Sequence, residues 1–120
     1  MQGNHFTHII HVLGTLAANV VPCFTVPADC QLEHVSFVGS NASDANVKIG
    51  NTSDDDAYLT AAVGLVGDSN VPAEYSRANF VGGEFPHIAD GTVMLITMDF
   101  DGTAGTAVQN MTLVLTFSEG

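Results

Sequence analysis

Cationic side chains are almost missing from this sequence. Lys48 and Arg77 are the only two in 120 residues, against thirteen Asp and Glu, for a formal net charge of −11. Nucleic-acid binding draws most of its affinity from Lys and Arg set on phosphates, so no nucleic-acid partner is expected. An anionic membrane surface would repel the chain for the same reason, so no membrane partner is expected either. Long apolar runs are also missing, and no stretch reaches the roughly 18 residues of a membrane-crossing helix. The segment Ile9–Phe24 is apolar enough to suggest a signal core, but no Lys or Arg precedes it, and Asn19 and Pro22 interrupt it. It does not read as a cleaved signal. Trp is absent, and Tyr58 and Tyr75 are the only tyrosines. They fall in apparent loop regions and offer few platforms for stacking a sugar ring. Good helix formers such as Lys and Glu are few as well.

Cysteine is scarce too. Cys23 and Cys30 are two residues in 120, too few for a disulfide framework. They read as two small buried side chains, with a bridge between neighbouring strands as the other possibility. No His–Asn or His–Asp pattern accompanies either thiol. Asn41, Asn51 and Asn110 each open an Asn-x-Ser/Thr triplet. Those triplets matter only in a eukaryotic secretory pathway, which nothing else here supports.

What is present is apolar residue, at 46%, with only 12% charged. A disordered chain of this net charge would be far less apolar. The length fits one domain. Met111–Phe117 alternates strictly, with Met111, Leu113, Leu115 and Phe117 on one face. Thr92–Asp101 alternates too, with Met94, Ile96, Met98 and Phe100 on one face and Thr97, Asp99 and Asp101 on the other. Both are strands by period. The Gly-rich link Asp101–Thr106 between them reads as the turn of a hairpin. Gln31–Val38 is a third strand, with Val35 and Phe37 on one face and Leu32, His34 and Val38 on the other. Ala45–Ile49 is a short fourth, stopped at Gly50-Asn51. Phe6–Leu13 and Val20–Val26 are two more, and Pro22 and Pro27 put the latter at an edge. Phe80-Val81 and Phe85 with Ile88 give further short extended pieces. Asp54–Val66 reads as a helical turn or a loop. No helical period separates the strands, so a parallel α/β fold is disfavoured. Six to nine short strands predict an all-β chain: a single-domain, jelly-roll-like antiparallel β-sandwich. Residues 1–19 form an N-terminal strand or arm, and 20–120 the sandwich.

Each chemical constellation has a plainer use. His5, His8 and His11 suit a metal by type. On a strand, however, His5 and His11 share one face and His8 takes the other, so the three do not converge in one chain. A ring of histidines from several copies is the remaining metal option. Asp54-Asp55-Asp56 and Asp99-Phe100-Asp101-Gly102 suggest calcium. Counting from Asp99, however, places Ala104 and Asn110 where a calcium-binding loop needs Gly and Glu. Both segments read as acidic turns, and no metal or other cofactor is expected. No Gly-x-Ser-x-Gly and no phosphate-binding glycine loop is present, so no enzyme is expected. Arg77 suits an internal or inter-subunit salt bridge.

The run Phe85-Pro86-His87-Ile88-Ala89-Asp90-Gly91-Thr92 leads into the strand ending Asp99-Phe100-Asp101-Gly102, and then comes Gln109–Gly120. Earlier, Phe24–Asp29 precedes the strand Leu32–Val38 after a Pro turn. This layout over residues 20–120 resembles the capsid decoration, or cement, proteins on heads of tailed bacteriophages, and related phage β-sandwich head, fibre and tail domains. The resemblance implies a jelly-roll-like virion protein that binds and stabilises the outer surface of a phage head. It implies a homotrimer, with the major capsid protein shell as partner, made in the host cytoplasm. It carries no catalytic residues. A receptor- or carbohydrate-binding module of a phage fibre or tail is the alternative, and a small jelly-roll metalloenzyme using the histidines is a third. With so few cations, contacts to a partner must be apolar or backbone-mediated, unless the partner itself is basic. Phe6, Ile9, Ile10, Val12 and Leu13 are the candidate contact residues, with Arg77 as the candidate inter-subunit cation.

Overall fold

A computed structural model describes residues 4–60, 65–67, 69–103 and 105–120. In chain order the strands are β1 (His5–Thr15), β2 (Cys23–Thr25), β3 (Cys30–Val38), β4 (Ser43–Asn51), β5 (Leu65–Gly67), β6 (Ala73–Tyr75), β7 (His87–Ile88), β8 (Val93–Asp99) and β9 (Gln109–Glu119). They form two antiparallel sheets. One has the order β1-β9-β3-β6, with β7 also on β3, and the other has the order β2-β8-β4-β5. The described residues contain no α-helix, only short 3₁₀ turns at Arg77–Asn79 and Val81–Gly83.

This order is that of a jelly roll. β1 lies beside β9, β2 beside β8, β3 beside β6 and β7, and β4 beside β5. The chain is thus a long antiparallel ribbon, doubled back between β4 and β5 and wrapped so that successive pairs fall in alternate sheets. The expected all-β sandwich is what the structure shows. The expected edge position of the second strand also holds, since β2 is an outer strand of its sheet.

Two alternating rows make the core. Met111, Leu113, Leu115 and Phe117 of β9 are fully buried, and Met94, Ile96 and Met98 of β8 lie opposite them. Burial of each such side chain contributes about 1.5–3 kcal/mol. Phe117 stacks on Phe6 with ring centroids 4.9 Å apart and meets Phe24 edge-on at 6.1 Å. One contact thus joins β1 and β9 in their own sheet, and the other spans the sandwich to β2.

Three local expectations are corrected. First, β8 and β9 are not a hairpin. They sit in opposite sheets, and the link between them crosses the end of the sandwich, where Gly105 N–H bonds the Asp101 carbonyl and Val108 N–H the Phe100 carbonyl. Alternation shows that each strand has an apolar face. It does not say whether two such faces lie side by side or across a core. Second, Leu32 belongs to the same face as Val35 and Phe37. The register on β9 shifts between Leu32 and His34, a β-bulge that takes up the extra residue Glu33. All three apolar side chains are then buried. Third, Val81 is not extended but opens a 3₁₀ turn, followed by Gly82 and Gly83 at φ of 80° and 67°.

The segment at Asp54 is a turn. The Asn51 side-chain oxygen accepts the N–H of Ser53 and of Asp54, and the Asp54 carbonyl accepts the N–H of Asn51 at 2.8 Å. Gly50 is required here, because a Cβ on it would overlap the Asp54 carbonyl oxygen. The Ala and Val run at 61–64 lies outside the described residues.

Candidate functional site

The acids are not spread evenly. Residues 4–28 contain no Asp, Glu, Lys or Arg, and Asp29 is the first acid of the chain. This charge-free segment includes all of β1. Its alternation places Phe6, His8, Ile10 and Val12 toward the core and His5, Thr7, Ile9, His11 and Leu13 outward. Phe6, Ile10 and Val12 pack against the core, whereas Ile9 is 62% and Leu13 82% exposed. The structure thus divides the candidate contact residues into two sets. Three are anchored inward, and two are displayed on an outer strand.

The sandwich leaves four outer strands, and three are short. β2 and β6 have three residues each, and so does β5. Pro22 and Pro27 flank β2, and Glu74 sits in β6. Such devices keep sheet edges from pairing with other chains. By contrast, β1 runs for eleven residues without Pro or charge other than its histidines.

The ladder geometry identifies the open groups on that edge. The Asn4 carbonyl accepts the N–H of Glu119 at 2.7 Å. In an antiparallel ladder one residue's N–H and C=O point to the same side, and the side alternates along the strand. The register His5↔Ser118 through Val12↔Met111 is unbroken. The even residues therefore bond β9, and the N–H and C=O of His5, Thr7, Ile9 and His11 face away from it.

Beside β1, the outward face of the same sheet carries Thr112, Val114, Thr116 and Ser118 of β9, and Ser36 and Val38 of β3. The His11 ring bonds the Thr112 hydroxyl across the strands at 2.8 Å. His5 Nε2 lies 3.3 Å from Glu33, whose other carboxylate oxygen accepts the Ser118 hydroxyl at 2.7 Å. His34 Nε2 lies 3.4 Å from Glu74. Glu33 and Glu74 thus each face a histidine. Ser118, Glu33 and His5 do not form a serine–histidine pair, because the carboxylate lies between the hydroxyl and the imidazole. The bulge is the reason Glu33 reaches both partners, and no alternation rule could have placed it there.

His8 is the inward histidine. It stacks on Phe24 of the opposite sheet, with centroids 3.7 Å apart. Burial holds its imidazole below the ordinary range. His5 and His11 lie on the outer face, so the three histidines do not converge, as their spacing predicted.

The remaining candidates have structural uses. The carboxylates of Asp54, Asp55 and Asp56 lie within 4.8 Å of one another, and Lys48 Nζ sits 2.9 Å from Asp55. One of the two cations is thus spent on the densest acid cluster. Among the described residues Arg77 makes no ion pair, and it is exposed in its 3₁₀ turn. Cys23 and Cys30 are free thiols in different sheets. Only Cys30 is buried, which corrects the reading of two buried cysteines. Burial first, and then the Asp29 charge, push its thiol up in pKa and away from reactivity. Tyr75 is not in a loop. It belongs to β6, is buried, and has its phenol pushed up to about 12 by burial. The Tyr58 hydroxyl accepts a bond from Asn51 Nδ2 at 3.1 Å, and the ring packs on the core. Neither tyrosine is a free platform.

The fold is similar to that of a solved structure. That structure is a chain of the cyanophage Pam1 capsid asymmetric unit, matched with a TM-score of 0.56 and 13% sequence identity over 99% of this chain and 87% of that one. The likeness covers both sheets and therefore the whole jelly roll. No protein-family model matches the sequence, and no curated protein matches it.

Proposed function

We propose that this chain is a structural protein of a phage capsid, and in finer terms a decoration protein bound to the outer surface of the head. The single observation that carries the reading is the whole-chain likeness to a capsid chain, found for a sequence whose layout resembles head decoration proteins. The chemistry agrees with it. The surface is acidic, which keeps free copies soluble and disfavours contact with packaged DNA. The side chains that suggest catalysis are engaged in turns, cross-strand pairs or the core. The homotrimer implied by the resemblance is part of the same proposal. Phe6, Ile10 and Val12 anchor the N-terminal strand, Ile9 and Leu13 are its displayed contacts, and Arg77 is a cation left for a neighbouring copy.

Virions that contain this chain test the reading. Quantitative mass spectrometry should count many copies per particle, and antibody labelling should mark the head. Attachment should persist in about 1 M salt, where the screening length is roughly 3 Å, because few ion pairs are on offer. A few copies at the tail tip, together with binding to a host polysaccharide, would replace it with the fibre or receptor-binding reading. The committed positions of Tyr58 and Tyr75 speak against that alternative.

A further inference from the structure

We propose that the open edge of β1 is occupied by a second copy of this chain, joined by backbone pairing along His5–His11. The inference concerns the chain with itself, so it stands whether or not the capsid reading holds. Its first support is the contrast among edges. Among the described residues the three other outer strands are three residues long, and the one long edge lacks proline, lysine and carboxylates. An unguarded edge of this kind is a template for another strand. Four residues present both N–H and C=O to it, and Ile9 and Leu13 add exposed apolar surface alongside.

Charge selects the occupant. Two copies at −11 each repel strongly wherever their acids face one another. They can approach closely only through a surface poor in acids. β1 lies within residues 1–28, the longer of the chain's two long acid-free segments, and the other, 102–118, leads into β9, which already has a strand on each side. A basic partner would gain nothing from such a neutral strand. It would find its attraction at Asp54–Asp56 or at Glu74 instead. The uncharged edge therefore fits a partner of the same sign as this chain, and another copy is that partner.

The test uses the purified full chain. Sedimentation at tens of micromolar should give a mass of two or more chains, each of 12.5 kDa. Hydrogen exchange should show the amides of Thr7, Ile9 and His11 protected along with those of Ile10 and Val12. Ile9→Pro removes an N–H that faces the open side and leaves the β9 ladder its own donors. It should reduce the mass to a single chain and make Thr7 and His11 amides exchange at least about tenfold faster. Ile9→Lys, which keeps every backbone donor, should weaken association by bringing like charges together. Val71→Lys, at an exposed apolar site far from β1 in sequence, should leave the mass unchanged. A wild-type monomer at these concentrations would overturn the proposal. So would a multimer whose odd-position β1 amides exchange as freely as an open edge, because the copies would then meet elsewhere.

Discussion

β1 and β9 are both eleven residues long, lie side by side, and alternate apolar with polar positions. They differ in everything else. β9 has a strand on each side, and its inward row of Met111, Leu113, Leu115 and Phe117 is sealed. β1 has one neighbour, its inward row is half-buried, and its outward row displays Ile9 and Leu13. The same period thus serves two purposes. In β9 it divides core from surface. In β1 the apolar residues occur on both faces, and the outward ones have no covering among the described residues. A strand that is apolar on both sides, free of carboxylates and at an edge is a template for a further strand.

That contrast can be broken by substitution. Phe117→Ala should have the largest effect, since it empties a sealed position and removes the stack on Phe6 and the edge contact with Phe24. A loss of about 3–5 kcal/mol is expected in urea denaturation, a large share of the roughly 5–15 kcal/mol that holds a domain folded. Phe6→Ala, on the partner ring in β1, should cost only about 1–2 kcal/mol because the site is half open to water. Equal losses would mean that β1 is as integral as β9, and a fold that survives removal of residues 1–13 would mean that it is an arm.

How far the sequence revealed this follows from what periodicity reports. The inward rows of β8 and β9 were readable residue by residue, because strict alternation has one interpretation. The sheet each strand joined was not, because a buried face looks the same whether its partner is beside it or across the core. Leu32 was placed on the wrong face because one extra residue, Glu33, shifts the phase, and a bulge leaves no mark in composition. Ile9 and Leu13 were found as apolar residues near the start. Their exposure could not be read, since only the inward set fixes which parity faces water. The absence of acids before Asp29 was readable throughout and was the plainer signal.

Acid sharpens the comparison through His8, the inward imidazole of β1. Its folded pKa lies below the ordinary value near 6.5, so the unfolded chain takes up a proton that the folded chain resists. Its share of stability is therefore full above about pH 6.5 and falls as the pH drops through the folded pKa. His8→Phe keeps a ring against Phe24 and removes the titration. The acid limb of its stability profile should be flatter than that of the wild type, and an unchanged limb would assign the acid loss to other groups. The smallest effect is expected from Ile9→Thr. It should alter stability of the isolated chain by no more than about 0.5 kcal/mol, since the side chain touches solvent. A larger change in dilute samples would show that Ile9 is covered within one copy.

The pairing of β1 with β9 also bears on how quickly the chain can find its fold. His5 is registered on Ser118, so the ladder joins residues from opposite ends of the sequence. Closing so long a loop before any reward arrives is slow, and chains dominated by such contacts fold in milliseconds to seconds. Because Asn4 and Glu119 are already hydrogen-bonded neighbours, a short linker can join the two ends. The chain can then be reopened in the link after β8, between the sheets. In that permuted chain β9 would lead directly into β1, and the most distant pairing would become the most local. Stopped-flow refolding of the permuted chain should be faster than that of the parent at similar stability.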